Sequence, residues 1–145
     1  MCYNVSTKKV SKETEKQFKS KIDPTIELPS KYYLSGFTQP LVPVISAIQP
    51  NIITAYNWGL IPDFCKTDLD AKDMQIKTLN AKSETVFTLP SFKNSIREKR
   101  CLVIVDGFYE WRTIGKQKYP YFIQYKDGET FAMGGIFNDW VNRHT

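Results

Sequence analysis

An α+β fold, with a curved, mostly antiparallel, barrel-like sheet and short flanking helices, is predicted by three observations. Five or six segments of strand length are separated by turn signals built from Pro, Asn and Asp-Gly. The two or three helical segments are short and do not alternate with the strands as a parallel βαβ sheet requires. No repeat or low-complexity linker divides the chain, and 145 residues suit one domain with a core of its own.

The elements follow in order. After MCYNVS, the segment SKETEKQFKSKI has only Val10, Phe18 and Ile22 as apolar neighbours, and Ser11 suits the cap of a short surface helix. LVPVISAIQ and NIITAYNWG read as two strands joined by a Pro-Asn turn, and Pro40 and Pro43 place the first at a sheet edge. GLIPDF breaks the pattern and leads into DLDAKDMQIKTL, a helix with a weak apolar face. NAKSET has no period and reads as a loop. PSFKNSIREK starts on a helix-compatible proline and carries its cations toward the C-terminal end, where the helix dipole favours them. RCLVIVDGFYEW is the strongest strand signal, an apolar run that reaches Asp-Gly and resumes as alternation. KYPYFIQYKDGETFAMGGIF reads as a strand pair joined at Asp127-Gly128 by a type I′ turn.

Composition removes several classes. No stretch approaches a membrane span, and the Lys-, Glu- and Ser-rich first thirty residues hold no secretory h-region, which predicts a cytosolic protein. Cys2, Cys65 and Cys101 form no C-x-x-C pair, so neither a zinc site nor a disulfide framework is indicated. His144 is the single histidine, which excludes a multi-histidine metal site, and no cofactor is implied. The formal charge of +5 suits a polyanionic partner such as nucleic acid and equally suits a solvated basic surface.

Four short stretches carry candidate chemistry. Cysteine is small enough for Met1 to be removed ahead of it, which would leave thiol and α-amine on one carbon at Cys2. With reference pKa values near ~7.8 and ~8.5, both groups are partly nucleophilic at neutral pH. The amine forms an imine with an aldehyde, and the thiol closes on the imine carbon to give a five-membered thiazolidine, an intramolecular step of high effective molarity. The alternative is a cysteine that happens to stand second.

In LNAKSET, Asn80 carries the donor and acceptor needed to orient a reacting group, and Lys82 suits a phosphate; the same residues also suit a polar surface loop. In DGFYEW, Glu110 stands between Tyr109 and Trp111, where lost solvation would raise its pKa and fit it for proton transfer. Period 2 equally allows an outward-facing Glu. In YNWGLIP, Trp58 serves either as a platform for a nucleobase or as a core residue.

Together, MC, WGLIP, NAKSET, P-x-F, RCLVIVDGFYEW and GGIFNDW occur in the order and spacing of the SOS response-associated peptidase (SRAP) family, which the chain resembles from Cys2 to about Trp140. The resemblance implies the SRAP fold, binding of single-stranded DNA that contains abasic sites, and a covalent crosslink through the N-terminal cysteine to the ring-opened sugar. It implies Cys2 as nucleophile, Asn80 as the residue that holds the reacting centre and Glu110 as the proton carrier. Trp58 matches a residue lining the DNA groove. Lys82 stands where the family usually has Arg, keeping the charge without the bidentate fork. Arg97 and Arg100 lie near the family's basic segment and match phosphate contacts. Ser83 and Glu84 share the Asn80 motif without an implied role. Tyr3 and Asn4 replace the Gly-Arg of many members, which removes one phosphate contact. The family's catalytic His lies in a later H-x-R-M-P segment that this sequence does not contain, and His144 in NRHT does not match it. Residues 1–145 thus read as a single SRAP domain lacking its C-terminal part, acting in the bacterial cytosol and nucleoid.

Two other readings compete. An N-terminal nucleophile hydrolase also uses an exposed Cys with its α-amine as base. A non-catalytic single-strand binder would depend on phosphate contacts alone and weaken steeply with salt.

Overall fold

The computed structural model describes residues 1–142. Among these described residues nine strands form two sheets. The first contains β3 (Leu34–Ser35), β1 (Asn4–Ser6), β7 (Gly107–Ile114) and β8 (Gln117–Ile123), in that order. The second runs β2 (Lys21–Ile22), β5 (Ile52–Asn57), β4 (Leu41–Ser46), β6 (Arg100–Val105) and β9 (Phe131–Ile136). Every pairing is antiparallel except β2 with β5. The α+β class is as expected, with the strands divided between two sheets in place of one barrel-like sheet.

That division is made at one residue. The apolar run of β6 ends at Asp106, which is 3% exposed, and β7 begins at Gly107 in the other sheet. The Asp106 amide donates to the Ser6 carbonyl at 2.9 Å, and its carboxylate accepts from the Lys9 amide at 2.5 Å. A buried carboxylate is tolerable when backbone donors satisfy it. Here those bonds turn the chain from one sheet to the other. Gly107 is needed because a Cβ there would lie 2.2 Å from the Phe122 ring.

Three α-helices among the described residues flank the sheets. In α1 (Lys12–Phe18), Ser11 is the cap the sequence suggested and accepts from the Glu13 amide, and Thr14 in turn accepts from the Ser11 amide. In α2 (Asp68–Lys77), Thr67 and Asp70 do the same, and only Ala71 is buried. The third helix, α3 (Ser95–Glu98), is shorter than PSFKNSIREK suggests because residues 90–94 are turns.

Two sequence expectations are corrected. Pro43 does not put β4 at an edge; β4 is the middle strand of its sheet. Pro43 faces Ala55 on β5, whereas β6 pairs only with Val44–Ser46, so the missing amide stands where the second ladder has not begun. The strands flanking Asp127-Gly128 are not a hairpin: β8 pairs with β7, and β9 pairs with β6. The hairpin is instead β7–β8, closed by Gly115-Lys116 with φ +62° at the glycine alone, which is type II′ chemistry.

Apolar side chains from both sheets meet in the middle. Val5 and Leu34 of the first sheet pack with Val105 of the second, and Cys2, Trp58, Phe108 and Met133 border that cluster. On the other side of the second sheet, Ile45, Ile53 and Ile104 pack with Val10 beneath α1.

Candidate active site

The N-terminus enters between the sheets. Cys2 lies shortly before the first ladder position, Asn4, and borders the Val5–Leu34–Val105 cluster. It lines a cleft of about 700 Å³ whose walls include Trp58, Asn80, Arg100, Cys101 and Met133. A smaller depression at the mouth is lined by Met1, Asn80, Ala81, Lys82 and Glu84, so Asn80 borders both.

Asn80 is held there by a clasp between the end of β5 and the end of α2. The Trp58 indole N–H donates to the Leu79 carbonyl at 2.8 Å. Thr78 donates to the Leu60 carbonyl at 2.6 Å, and Gln75 to the Trp58 carbonyl at 3.3 Å. Gly59, at φ +100°, allows this approach, since a Cβ would lie 2.4 Å from the Gln75 carbonyl oxygen. The Lys82 carbonyl accepts the Thr85 and Val86 amides, which folds the rest of NAKSET into a turn. Asn80 Nδ2 is buried with no hydrogen-bond partner among the described residues. An orphaned buried donor costs about 1–3 kcal/mol, a cost commonly retained where a ligand group will pair with it.

Glu110 reaches the site from β7. Its Oε1 lies 3.6 Å from the Met1 ammonium nitrogen, with both groups partly exposed. The Cys2 thiol donates to the Asn4 carbonyl at 3.2 Å. Burial pushes that thiol above its ordinary value; backbone hydrogen bonding at Asn4 pulls it down, the Glu110 carboxylate raises it further, and the terminal amine opposes the rise. Cys101, in the same cleft, is pushed up to about 11 by burial alone. Two thiols thus share the cleft, and only Cys2 adjoins the terminal amine.

The structure gathers Cys2, Trp58, Asn80 and Arg100 around one cleft, with Lys82 at its mouth and Glu110 at the terminal amine. Arg97, on α3, lines neither concavity. Trp58 is a half-buried wall, with Gly36 so close that a Cβ would lie 3.1 Å from the ring. His144 lies outside the described residues.

Sequence reasoning assigned nothing to Tyr56 or Asn138, although both stand in motifs it singled out. Tyr56 lines the cleft and donates to Asp139 at 2.9 Å; burial, then Asp139, pushes its hydroxyl up to about 12. Asn138 lines the same cleft, donates to the Ile61 carbonyl and Asp63, both at 2.8 Å, and accepts from Lys99 at 2.5 Å. Among the described residues no group of three or more His, Cys, Asp or Glu side chains is placed to hold a metal ion, and no helix is long and apolar enough to cross a membrane.

The sequence matches the model of the SOS response associated peptidase (SRAP) family over residues 1–145. It is 35% identical over 106 residues to the abasic site processing protein YoqW of Bacillus subtilis, covering 71% of this chain and 45% of that protein. It is 34% identical over 108 residues to the abasic site processing protein HMCES of Gallus gallus, covering 61% of this chain and 32% of that one. A crystal structure of a protein from Bacteroides thetaiotaomicron superposes with a TM-score of 0.83 at 34% identity, over 95% of this chain and 62% of the other. The aligned region spans less than half the length of both curated relatives.

Proposed function

The chain belongs to the SOS response associated peptidase family, and from that membership we propose that it captures abasic sites in single-stranded DNA on Cys2 once Met1 has been removed. The observation that carries the proposal is the meeting of three groups. The terminal amine lies 3.6 Å from Glu110, and the thiol one residue on lines the cleft that Asn80 also borders. Removing Met1 transfers the terminal amine to Cys2, a displacement of about 3.8 Å along the chain.

The chemistry follows from those groups. Glu110 takes a proton from the Cys2 ammonium, and the freed amine adds to the aldehyde of the ring-opened deoxyribose. Glu110 returns the proton to the carbinolamine hydroxyl, which leaves as water and gives a protonated imine. The thiol then adds to the imine carbon; a sulfur–carbon bond forms and the thiol proton moves to nitrogen. The balance is aldehyde plus aminothiol to thiazolidine plus one water, with no oxidation or reduction. The raised thiol suits this order, because the amine acts first and the sulfur closes the ring on an activated carbon. Asn80 Nδ2 is the donor available to hold the sugar oxygen. Arg100 at the cleft and Lys82 at its mouth serve phosphates, Arg97 serves a more distant one, and Trp58 forms the wall against which the abasic nucleotide sits.

Abasic single-stranded DNA mixed with the protein is expected to give a denaturant-stable adduct whose intact mass is the sum of the two minus one water. Cys2→Ser removes the stable product, and Glu110→Gln slows it by ~10²–10⁴-fold. A stable adduct that persists in Cys2→Ser overturns the proposal. An acyl-enzyme formed with an amide substrate, without a DNA adduct, assigns the site to the hydrolase reading.

A further inference from the structure

The site described above leaves unassigned a group of exposed aromatic side chains on β7 and β8. β1 pairs with β7 only at Gly107 and Phe108. From Trp111 outward, β7 and β8 are therefore a ribbon two strands wide. Every residue in 111–127 is exposed. Trp111, Tyr119 and Tyr121 leave 49, 42 and 45% of their surface in water. Aromatic rings are ordinarily drawn inside, and a row of them on a bare ribbon marks a contact surface. Segment 111–126 also contains Arg112, Lys116, Lys118 and Lys126 and not one Asp or Glu. None of these cations forms an ion pair among the described residues.

The strand register sorts these groups into a track. Glu110 stands opposite Tyr121, and Arg112 opposite Tyr119. Residues two apart share a face, so Glu110, Tyr121, Arg112 and Tyr119 line one side of the ribbon. Successive members along a strand are about 6.8 Å apart. The track begins at the carboxylate beside the terminal amine and runs outward. Tyr119 is oriented by donating to Gln117 Oε1 at 2.6 Å.

We propose that this face of the β7–β8 ribbon is a subsite for the single strand flanking the captured nucleotide, with bases stacked on Tyr121 and Tyr119 and phosphates on Arg112 and on Lys116 at the ribbon's turn. The subsite rests on the abasic-DNA reading of the cleft. An added protein strand is the other occupant of such an edge, and the sequence works against it. Pro120 removes a backbone donor from β8, and Lys116 and Lys118 charge the edge. A nucleic acid needs neither backbone amides nor acids; it needs ring faces and cations.

The test uses the full chain with Cys2→Ser, so that binding is reversible, and oligonucleotides of one length with the abasic residue near the 5′ end, central, or near the 3′ end. Affinity is read by anisotropy across a salt series. Tyr119→Ala with Tyr121→Ala is expected to weaken binding by about 5-fold or more per ring. The weakening occurs with oligonucleotides whose flank extends to one side of the lesion and not with those whose flank extends only to the other. Tyr119→Leu with Tyr121→Leu keeps apolar bulk and must weaken binding equally. Arg112→Ala and Lys116→Ala together lower the slope of log K against log salt by about 0.7 for each phosphate left without its cation. Affinities and slopes equal to the parent protein's for every oligonucleotide overturn the subsite. So does self-association that the ring variants abolish while DNA binding stays intact. Failure of the unaltered protein to form the Cys2 adduct on DNA with minimal flanks overturns the parent reading instead.

Discussion

At the scale of single residues, the site depends on where a thiol stands. Cys2, Cys65 and Cys101 are chemically alike in the sequence, and all three thiols are pushed up by burial in the fold. Only Cys2 also feels Glu110 and the terminal amine. This gives a prediction with a sign. A carboxylate near a thiol disfavours the thiolate, so Glu110→Gln should bring the Cys2 midpoint down. The pH profile of alkylation at Cys2, followed by peptide mass spectrometry, is expected to show a midpoint above 9.0 in the parent protein and a lower one in Glu110→Gln. A midpoint that stays put would separate Glu110 from Cys2. The position of Cys2 and the polarity of NAKSET were legible because each needs only local sequence. The role of Trp58 was not. Its indole N–H is committed to Leu79 and its ring is backed by Gly36, partners that lie 21 residues away in one direction and 22 in the other.

At the scale of elements, features set by neighbouring residues were more legible than pairings between distant ones. The caps of α1 and the β4–β5 hairpin follow from neighbouring residues. β1, by contrast, pairs with β7 about a hundred residues later, and no pattern within MCYNVS announces it. Asp127-Gly128 carries the residues of a hairpin turn, and its glycine does adopt φ +72°, yet the strands on either side go to different sheets. Turn chemistry fixes a reversal of the chain; it does not fix which edges are open to receive the strands. Asp106 is the clearest case of an element boundary with an energetic role. Removing its carboxylate leaves the Lys9 amide without its acceptor, while the backbone bond from the Asp106 amide to Ser6 remains. Asp106→Ala is expected to cost about 1.5–3 kcal/mol, read from the urea midpoint, while Asp106→Asn, which keeps an acceptor, should cost less. Equal destabilisation in the two variants would show that the bond to Lys9 is not what holds the junction.

At the scale of the whole molecule, the α+β class was legible because strand-length runs and short helices set it, while the split into two sheets was hidden in the single buried Asp106. The same burial that builds the core between the sheets controls stability in alkali. In the folded chain the Cys101 thiol is held up to about 11, whereas in the unfolded chain it ionises near its ordinary value of 9.0. Below pH 9 both states keep the proton, and burial of the neutral thiol contributes fully. As pH rises from 9 toward 11 the unfolded state gives up its proton and the folded state does not, so the contribution disappears, on the order of 2 kcal/mol in all. Tyr56, held up to about 12, adds a second decline that begins above its ordinary value of 10.0. Urea midpoints measured under reducing conditions at pH 8 and pH 10 should therefore differ by less in Cys101→Ala than in the parent protein, even though the variant starts lower. That lower start reflects packing, since the sulfur lies 3.0 Å from where a Cβ on Gly135 would stand. A gap between the two midpoints that is unchanged in Cys101→Ala would mean that the alkaline destabilisation arises elsewhere, and would assign it to Cys65, whose thiol is displaced in the same direction.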